Sequence, residues 1–306
     1  MLRFLLQRLV GVLLVLWVII TLSFFLMRCA PGGPFDLEKP LQPDIRINIE
    51  KKYHLNEPLP AQYFRYVTDI ILHGDLGPSY RYSDRSVNDF IREGLPYTMQ
   101  LGFFALMVAL TIGLSMGLAA ALRHNTRWDY LAMAFAILGV SIPDFVLGPL
   151  LQLLFGIHLK WFPIAGWEGF RYFILPSVTL GSYYAASIAR LTRGGMLEVT
   201  LQDYIRTARA KGLSEPVVVL RHMIRGGIIP VITYLGPATA FLLSGSLVVE
   251  KIFQIPGLGR HFVNSALNRD YTVALGMVIF FSALILVFNL AVDLLYLVVD
   301  PRMRKK

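Results

Sequence analysis

Two carboxylates stand where a carboxylate is expensive. Asp144 follows Pro143 near the middle of one apolar stretch, and Asp293 lies in another, on a helical face that reads Asn289, Asp293, Tyr296 and Asp300. An acid inside a membrane-spanning segment is a candidate for a substrate path, an ion site or a proton relay. The competing reading is structural, with each acid bonded to backbone N–H groups freed at a kink or to a neighbouring hydroxyl. Neither acid has a Lys or His partner within its own stretch, so proton coupling has no visible second member. Other chemistry finds little support. His54, His73, His124, His158, His222 and His261 show no metal-ligand spacing such as H-E-x-x-H. The dipeptide Gly-Lys does not occur, which excludes a G-x-x-x-x-G-K-[ST] phosphate loop, and no Ser-centred nucleophile elbow is present. The chain reads as a non-enzyme with no catalytic residue, no cofactor and no metal. If it moves a solute uphill, the energy comes from elsewhere.

A third group is basic rather than acidic. The stretch Asp203-Tyr204-Ile205-Arg206-Thr207-Ala208-Arg209-Ala210-Lys211-Gly212-Leu213 lies between two long apolar segments. Asp203 is placed to cap a helix, because its carboxylate can accept a backbone N–H of the first turn. Gly212 is placed to stop it, because glycine reaches the left-handed conformation without strain. Ile205, Ala208 and Leu213 can share one face, while Arg206, Arg209 and Lys211 project elsewhere. So short a helix is unstable alone in water and must lie on something. It either rests on membrane headgroups or acts as a lever that docks into a soluble partner.

The elements around these groups are membrane elements. Of 306 residues, 55% are hydrophobic and only 16% charged, and the mean hydropathy is +0.57. A soluble domain carries about 25% charged residues. Apolar stretches long enough to span a bilayer fall at 9–27, 101–122, 130–157, 172–190, 228–250 and 273–299. The expectation is an all-α integral membrane protein with six transmembrane helices. The first, within 1–27, is longer than the apolar region of a signal peptide and lacks a small-x-small site after it, so it is expected to stay as a span. The net charge of +9 then reflects loop orientation rather than nucleic-acid binding. The single Cys29 excludes an internal disulfide framework.

An even number of spans puts both termini on one side. The short loops on that side carry Arg3 and Arg8, Arg123 and Arg127, the 190–225 arginines with Lys211, and Arg302, Arg304, Lys305 and Lys306. Positive charge near span ends marks the cytoplasm. Both termini, the 203–213 helix and the 298–306 tail are therefore expected inside, and the polar interval 28–97 outside. That interval has room for amphipathic pieces near 44–54, 60–73 and 86–95, separated by Asn56-Glu57-Pro58 and Gly74-Asp75-Leu76-Gly77-Pro78. Gly102, Gly113, Gly117, Gly139, Gly148 and Gly181 allow close helix contact in spans two to four. Pro143, Pro149, Pro176, Pro230 and Pro237 break or bend backbone, which is tolerated at membrane depth when it is buried or lines a cavity. The first span has only Gly11 and no Pro, and is expected at the periphery.

The stretch from Tyr204 to Leu213, followed by Leu220-Arg221-His222 and Ile229-Pro230, resembles the cytoplasmic coupling loop of ABC-importer permeases. It is most similar to the peptide and nickel branch, where Arg-Thr-Ala-Arg-Ala-Lys-Gly is the usual form. Arg206-Thr207-Ala208 replaces the Glu-Ala-Ala of the general motif, and Gly212 holds its glycine. Pro230 lies farther on than in the general pattern, a departure that points to the peptide branch. The resemblance extends through Lys52-Tyr53-His54-Leu55-Asn56, His73-Gly74-Asp75-Leu76-Gly77-Pro78-Ser79, Phe253-Gln254-Ile255-Pro256-Gly257-Leu258-Gly259 and Ala266-Leu267-Asn268-Arg269-Asp270-Tyr271 to Asp300-Pro301-Arg302. These lie in the order of the oligopeptide-permease membrane subunits.

That resemblance implies a peripheral first helix plus a five-helix type I importer core over 94–297, in a bacterial inner membrane. It implies a second homologous permease subunit, two ABC ATPase subunits and a periplasmic peptide-binding protein as partners, with membrane lipid around them. Residues 203–213 would dock into an ATPase, with Gly212 allowing close approach. Pro256, Gly257, Leu258 and Gly259 form either a contact for the binding protein or an ordinary tight loop. Asp144, Asn289 and Asp293 are the candidate polar residues of the path. The substrate is expected to be an oligopeptide. A dipeptide, a murein peptide or a nickel chelate remains an alternative, as does an ion-coupled secondary transporter without ATPase partners.

Overall fold

Helices form every long element of the computed structural model, which describes residues 2–29 and 55–299, with side chains described over 6–29 and 55–292. The expected piece at 44–54 lies outside the described residues. The chain divides into two compact units, Met1–Tyr97 with Pro256–Lys306, and Thr98–Ile255.

In the first unit, α1 (Leu2–Cys29) and α13 (Tyr271–Val299) are the long apolar helices. Ile20 and Phe24 of α1 are buried together with Leu275 and Ile279 of α13. The amphipathic α2 (Leu59–His73) closes over them with Tyr63, Tyr66, Val67 and Ile70. Tyr63 hydroxyl and Thr21 Oγ1 share a hydrogen bond of 2.7 Å. Elsewhere on the described part of α1, Leu13, Leu14, Trp17, Leu22 and Leu26 are exposed. The second core of this unit joins Val87, Phe90 and Ile91 to Leu258 of α12 (Leu258–Leu267) and to Val273 and Met277 of α13.

The helix that carries Val87 runs on further than its polar start suggests. The expected amphipathic piece at 86–95 and the expected span at 101–122 are one 36-residue helix, α3 (Val87–Leu122), with Pro96 inside it. Its beginning is fixed by a reciprocal cap: Ser86 N–H donates to Asp89 Oδ2 at 2.8 Å, and Asp89 N–H donates to Ser86 Oγ at 3.3 Å. Asn88 ties the preceding loop down, donating to Gly74 O and accepting from Leu76 N–H.

In the second unit the expected span at 130–157 is two helices, α4 (Arg127–Ser141) and α5 (Asp144–Leu151), with an axis bend of 109° at the break. Ile142 takes an extended backbone, because the ring of Pro143 disfavours helical geometry in the residue before it. A π-helical turn, Gln152–His158, continues α5. Next come α6 (Phe170–Thr200), α7 (Asp203–Ala210), α8 (Glu215–Val217) with a π-turn at Val218–Met223, α9 (Ile224–Gly227), α10 (Ile229–Ser244) and α11 (Leu247–Ile252).

The middle of α6 is the most enclosed part of this unit. Leu180, Ala185, Ala186, Ile188 and Ala189 are buried, and so are Ser177, Thr179, Ser187 and Thr192. Thr179 and Thr192 return their hydroxyls to the carbonyls of Leu175 and Ile188, one turn back. The neighbours come close because the facing residues are small. A Cβ on Gly113 of α3 would lie 2.7 Å from Ala185 O, and one on Gly117 would lie 2.5 Å from Ala189 O. This is the small-residue contact expected from the glycine spacing. It also explains a difference from the expected span count. Among the described residues four helices are long and apolar enough to cross a membrane, or up to five if the bent pair is one span. The helix at 172–190 is not among them, since its buried face is built of small and hydroxyl-bearing residues rather than large apolar ones.

Candidate functional site: the 203–213 helix and its seat

The basic stretch forms the helix its ends predicted, shifted by one residue at the start. Gln202, not Asp203, is the N-cap, and no side chain caps the helix. Asp203 is the first helical residue, where its charge meets the positive end of the helix dipole. The other end follows the expected pattern. Gly212 has φ +77°. Its N–H donates to Arg209 O at 2.9 Å, and Leu213 N–H reaches back to Ala208 O at 3.4 Å. These two bonds close a Schellman motif.

Spacing at three residues puts Ile205 and Ala208 on one face, and both are buried, at 0% and 5% exposure. Their seat is within the same chain. Met196 and Val199 from the end of α6, Ala121 from the end of α3, and Val218, Val219 and Met223 from the π-turn surround them. Leu213, expected on this face, is exposed instead, because the left-handed residue before it turns the chain away. Tyr204, Arg206, Thr207, Arg209, Ala210, Lys211 and Gly212 are exposed. Arg209 is held by Glu215 through two bonds, of 2.7 and 3.2 Å. Arg206 is 3.7 Å from Asp203, and Lys211 has no partner among the described residues. The apolar face that would have rested on lipid headgroups is therefore occupied by protein, and a charged face is left outward. Among the described residues nothing lies within 4 Å of where a Cβ on Gly212 would stand.

A buried ion pair stiffens the seat. Asp129, at the start of α4, is 1% exposed and accepts two bonds from Arg193 of α6, Nε to Oδ1 at 2.6 Å and a terminal nitrogen to Oδ2 at 2.9 Å. Asn125 N–H donates to Oδ2 at 3.0 Å. His124 Nδ1 lies 3.1 Å from the same oxygen and 3.2 Å from the Arg193 guanidinium. An ionised carboxylate only accepts and a guanidinium only donates. Nδ1 therefore carries its proton and donates to Asp129, and its proximity to Arg193 is not a hydrogen bond. Arg193 stands one turn before Met196, so this clasp fixes the part of α6 that seats α7. Sequence alone gave Asp129 and Arg193 only as charges flanking spans.

The remaining candidates separate. Asp144 opens α5 and is half-buried. The Tyr184 ring packs against Tyr183 at 5.4 Å and Tyr234 at 6.4 Å. These tyrosines were not singled out from the sequence, although the pair Tyr183-Tyr184 interrupts a run of small residues. Asn289 is a half-buried residue of α13, and the side chain of Asp293 lies outside the described residues. Glu250 was missed as well. It is fully buried and accepts a hydrogen bond from Thr98 Oγ1 at 3.0 Å. It stands at the end of the apolar stretch 228–250.

Pro256 of the Pro256-Gly257-Leu258-Gly259 turn is half-buried. Gly257, Leu258 and Gly259 are buried. A Cβ on Gly94 would lie 2.9 Å from Leu258 N. The start of α12 thus packs closely against Gly94, whose missing Cβ makes the room.

Comparison with known proteins agrees with this arrangement. Residues 101–305 match the family described as binding-protein-dependent transport system inner membrane component, and residues 1–102 match the N-terminal model of the same systems. The chain is 48% identical over 306 residues to the oligopeptide transport system permease protein OppB of Haemophilus influenzae, covering 99% of this chain and 100% of that one. The protein of the same name from Escherichia coli is also 48% identical, with the same coverage. The dipeptide transport system permease protein DppB of Bacillus subtilis is 44% identical over 304 residues, 99% of this chain and 98% of that one. The fold is shared with a crystal structure described as an amino acid ABC transporter with histidines, at a TM-score of 0.53 and 18% identity, covering 68% of this chain and 93% of that one. A short helix with a seated apolar face, a bundle joined through small residues and two family models that together span the chain lead to one conclusion: this protein belongs to the family of inner membrane components of binding-protein-dependent transport systems.

Proposed function

We propose that the chain is one of two homologous membrane subunits of an ATP-driven importer that passes oligopeptides across a bacterial inner membrane. The observation that carries this reading is α7, whose apolar residues are taken up by its own seat while its basic face is left for a partner. That face docks into one of two separate ATPase subunits. A secreted peptide-binding protein delivers the substrate from the other side. The relatives named for oligopeptide transport at 48% identity support the longer substrate over the dipeptide. Six spans complete the path, with α6 as the inner span and with Asp144, Asn289 and Asp293 as its candidate polar residues. Uptake of labelled peptides of graded length by cells with and without the gene tests this. Loss of tetrapeptide and pentapeptide uptake in the deleted strain is expected. Unchanged uptake at every length would sink the oligopeptide reading, and loss confined to dipeptides would move the chain to the dipeptide branch.

In this reading both termini and α7 are cytoplasmic, and residues 55–86 are periplasmic. Ser214 and Ser83 are both exposed, and Cys29 is the only native cysteine. In a Cys29→Ala background, Ser83→Cys is expected to react with an impermeant maleimide in intact spheroplasts, and Ser214→Cys only after lysis. Reaction of Ser214→Cys in intact spheroplasts would invert the topology.

A further inference from the structure

The helix α2 carries apolar residues on two sides, and only one of them is covered. Tyr63, Tyr66, Val67 and Ile70 form the face seated against α1 and α13. Phe64, Thr68 and Ile71, at spacings of four and three residues, form a second stripe with Leu72 beside it. Phe64 is 67% exposed, Ile71 73% and Leu72 70%. Thr68 does not make this stripe polar, because its hydroxyl donates to Phe64 O at 2.7 Å, one turn back. A third stripe, Arg65, Asp69 and His73, takes up the remaining side at spacings of four residues. Arg65 pairs with Glu57 at 2.7 Å, and His73 Nδ1 lies 3.6 Å from Asp69.

The seated face fixes how deep α2 lies. The Tyr63 hydroxyl meets Thr21, which stands six residues, or about 9 Å of helix, inside the end of the apolar run 9–27. Ile279, in the same cluster, stands six residues inside the start of the run 273–299. The helix therefore lies across two candidate spans at one level, within the apolar run of each. An interfacial helix buries its apolar face roughly 5–10 Å into the boundary between headgroups and acyl chains. The uncovered stripe also continues an exposed surface of α1. Rings follow one another from Phe25, 39% exposed, to Tyr63 at 5.6 Å and from Tyr63 to Phe64 at 5.7 Å.

We propose that α2 is an interfacial helix, sunk broadside into the leaflet where α1 ends and α13 begins, with Phe64, Ile71 and Leu72 among lipid acyl chains and Arg65, Asp69 and His73 toward water. In the topology proposed above this is the outer leaflet. Lipid is favoured over a protein partner by the level of the helix, by the absence of charge from the stripe and by its continuity with α1. This placement requires α1 and α13 to cross the membrane and is independent of what is transported.

Nitroxide labels on single cysteines test it, in a Cys29→Ala background, with the assembled transporter in nanodiscs of phosphatidylethanolamine and phosphatidylglycerol. Collision rates with oxygen, which partitions into hydrocarbon, are compared with those for a water-soluble nickel chelate. Leu22→Cys on α1 and Ser83→Cys in the loop before α3 set the lipid and water references, and both native side chains are exposed. Phe64→Cys and Ile71→Cys are expected to give an oxygen-to-nickel ratio about fivefold or more above that of Ser83→Cys, because polar solutes are depleted in hydrocarbon. Arg65→Cys is expected to fall with Ser83→Cys. All three replaced side chains are exposed, so their loss removes no core contact. A ratio at Phe64→Cys and Ile71→Cys equal to that of Ser83→Cys would put the stripe in water and overturn the placement. Low rates for both reagents at these positions would show a protein covering the stripe and overturn it equally. A water-like ratio at Leu22→Cys would instead remove α1 from the membrane, and the six-span importer reading would fall with it.

Discussion

Arg193→Met is expected to destabilise the chain by about 3 kcal/mol, because it removes the countercharge from a buried carboxylate and leaves the carboxylate in place. Asp129 is 1% exposed and would keep only the Asn125 N–H and the His124 Nδ1 proton as donors. Asp129→Asn removes the charge and leaves Arg193, which is 26% exposed, free to turn to water, so its cost is smaller. The double variant should cost less than the sum of the two, with a coupling of about 1 kcal/mol or more between groups in direct contact. Reversible unfolding in mixed micelles of all four proteins measures this. Additive costs would show that the clasp contributes nothing as a pair. If the clasp holds the seat of α7, peptide-stimulated hydrolysis should fall in Arg193→Met further than the loss of folded protein explains.

The second large effect separates the two faces of α7. Ala208→Asp puts a charge into an apolar cluster at a position 5% exposed, a change costing several kcal/mol unless the helix leaves its seat. The expected result is a helix that lifts off, with loss of ATPase co-purification and of uptake. Gly212→Val should act in the same direction, since φ +77° is costly for a β-branched residue. Neither variant alone distinguishes a lost partner contact from a disordered lever. Arg206→Glu with Lys211→Glu does, because both side chains are exposed and their reversal disturbs no packing. That pair should leave thermal stability within about 0.5 kcal/mol of wild type and still release the ATPase subunits. Normal ATPase retention and hydrolysis in the double reversal would remove the docking role from this face.

The two ends of α7 were legible because helix ends are written locally, in a glycine that needs φ > 0 and an acid in the first turn. Its buried face was legible at Ile205 and Ala208, three residues apart, and failed at Leu213, where the turn at Gly212 ends the periodicity. The long helices α1 and α13 were plain because a membrane span needs a long run of apolar residues. The inner helix α6 was readable as a helix but not as one whose enclosed face is small and hydroxylated, since that depends on neighbours more than 60 residues away, as the 64-residue separation of Arg193 and Asp129 illustrates. The burial of Gly257, Leu258 and Gly259 was unreadable for a related reason: the room for the start of α12 is made by Gly94, on a distant segment. Ser79 and Asp270 are 191 residues apart, and only folding brings them into hydrogen-bond contact.

The division of α7 into a seated face and an outward face also has an evolutionary consequence. Only Ile205 and Ala208 are constrained by the interior, and Arg209 by its local pair with Glu215. Arg206, Thr207, Ala210 and Lys211 are exposed and can change without touching the packing below them. The helix is thus a plug whose pins can be rewired while its socket in the bundle stays fixed. A duplicated transporter could diverge to recognise a different motor subunit by a handful of outward substitutions, each neutral for folding. Chimeras should show it: exchanging those four side chains between paralogous permeases would exchange their motors, with no other change to either chain.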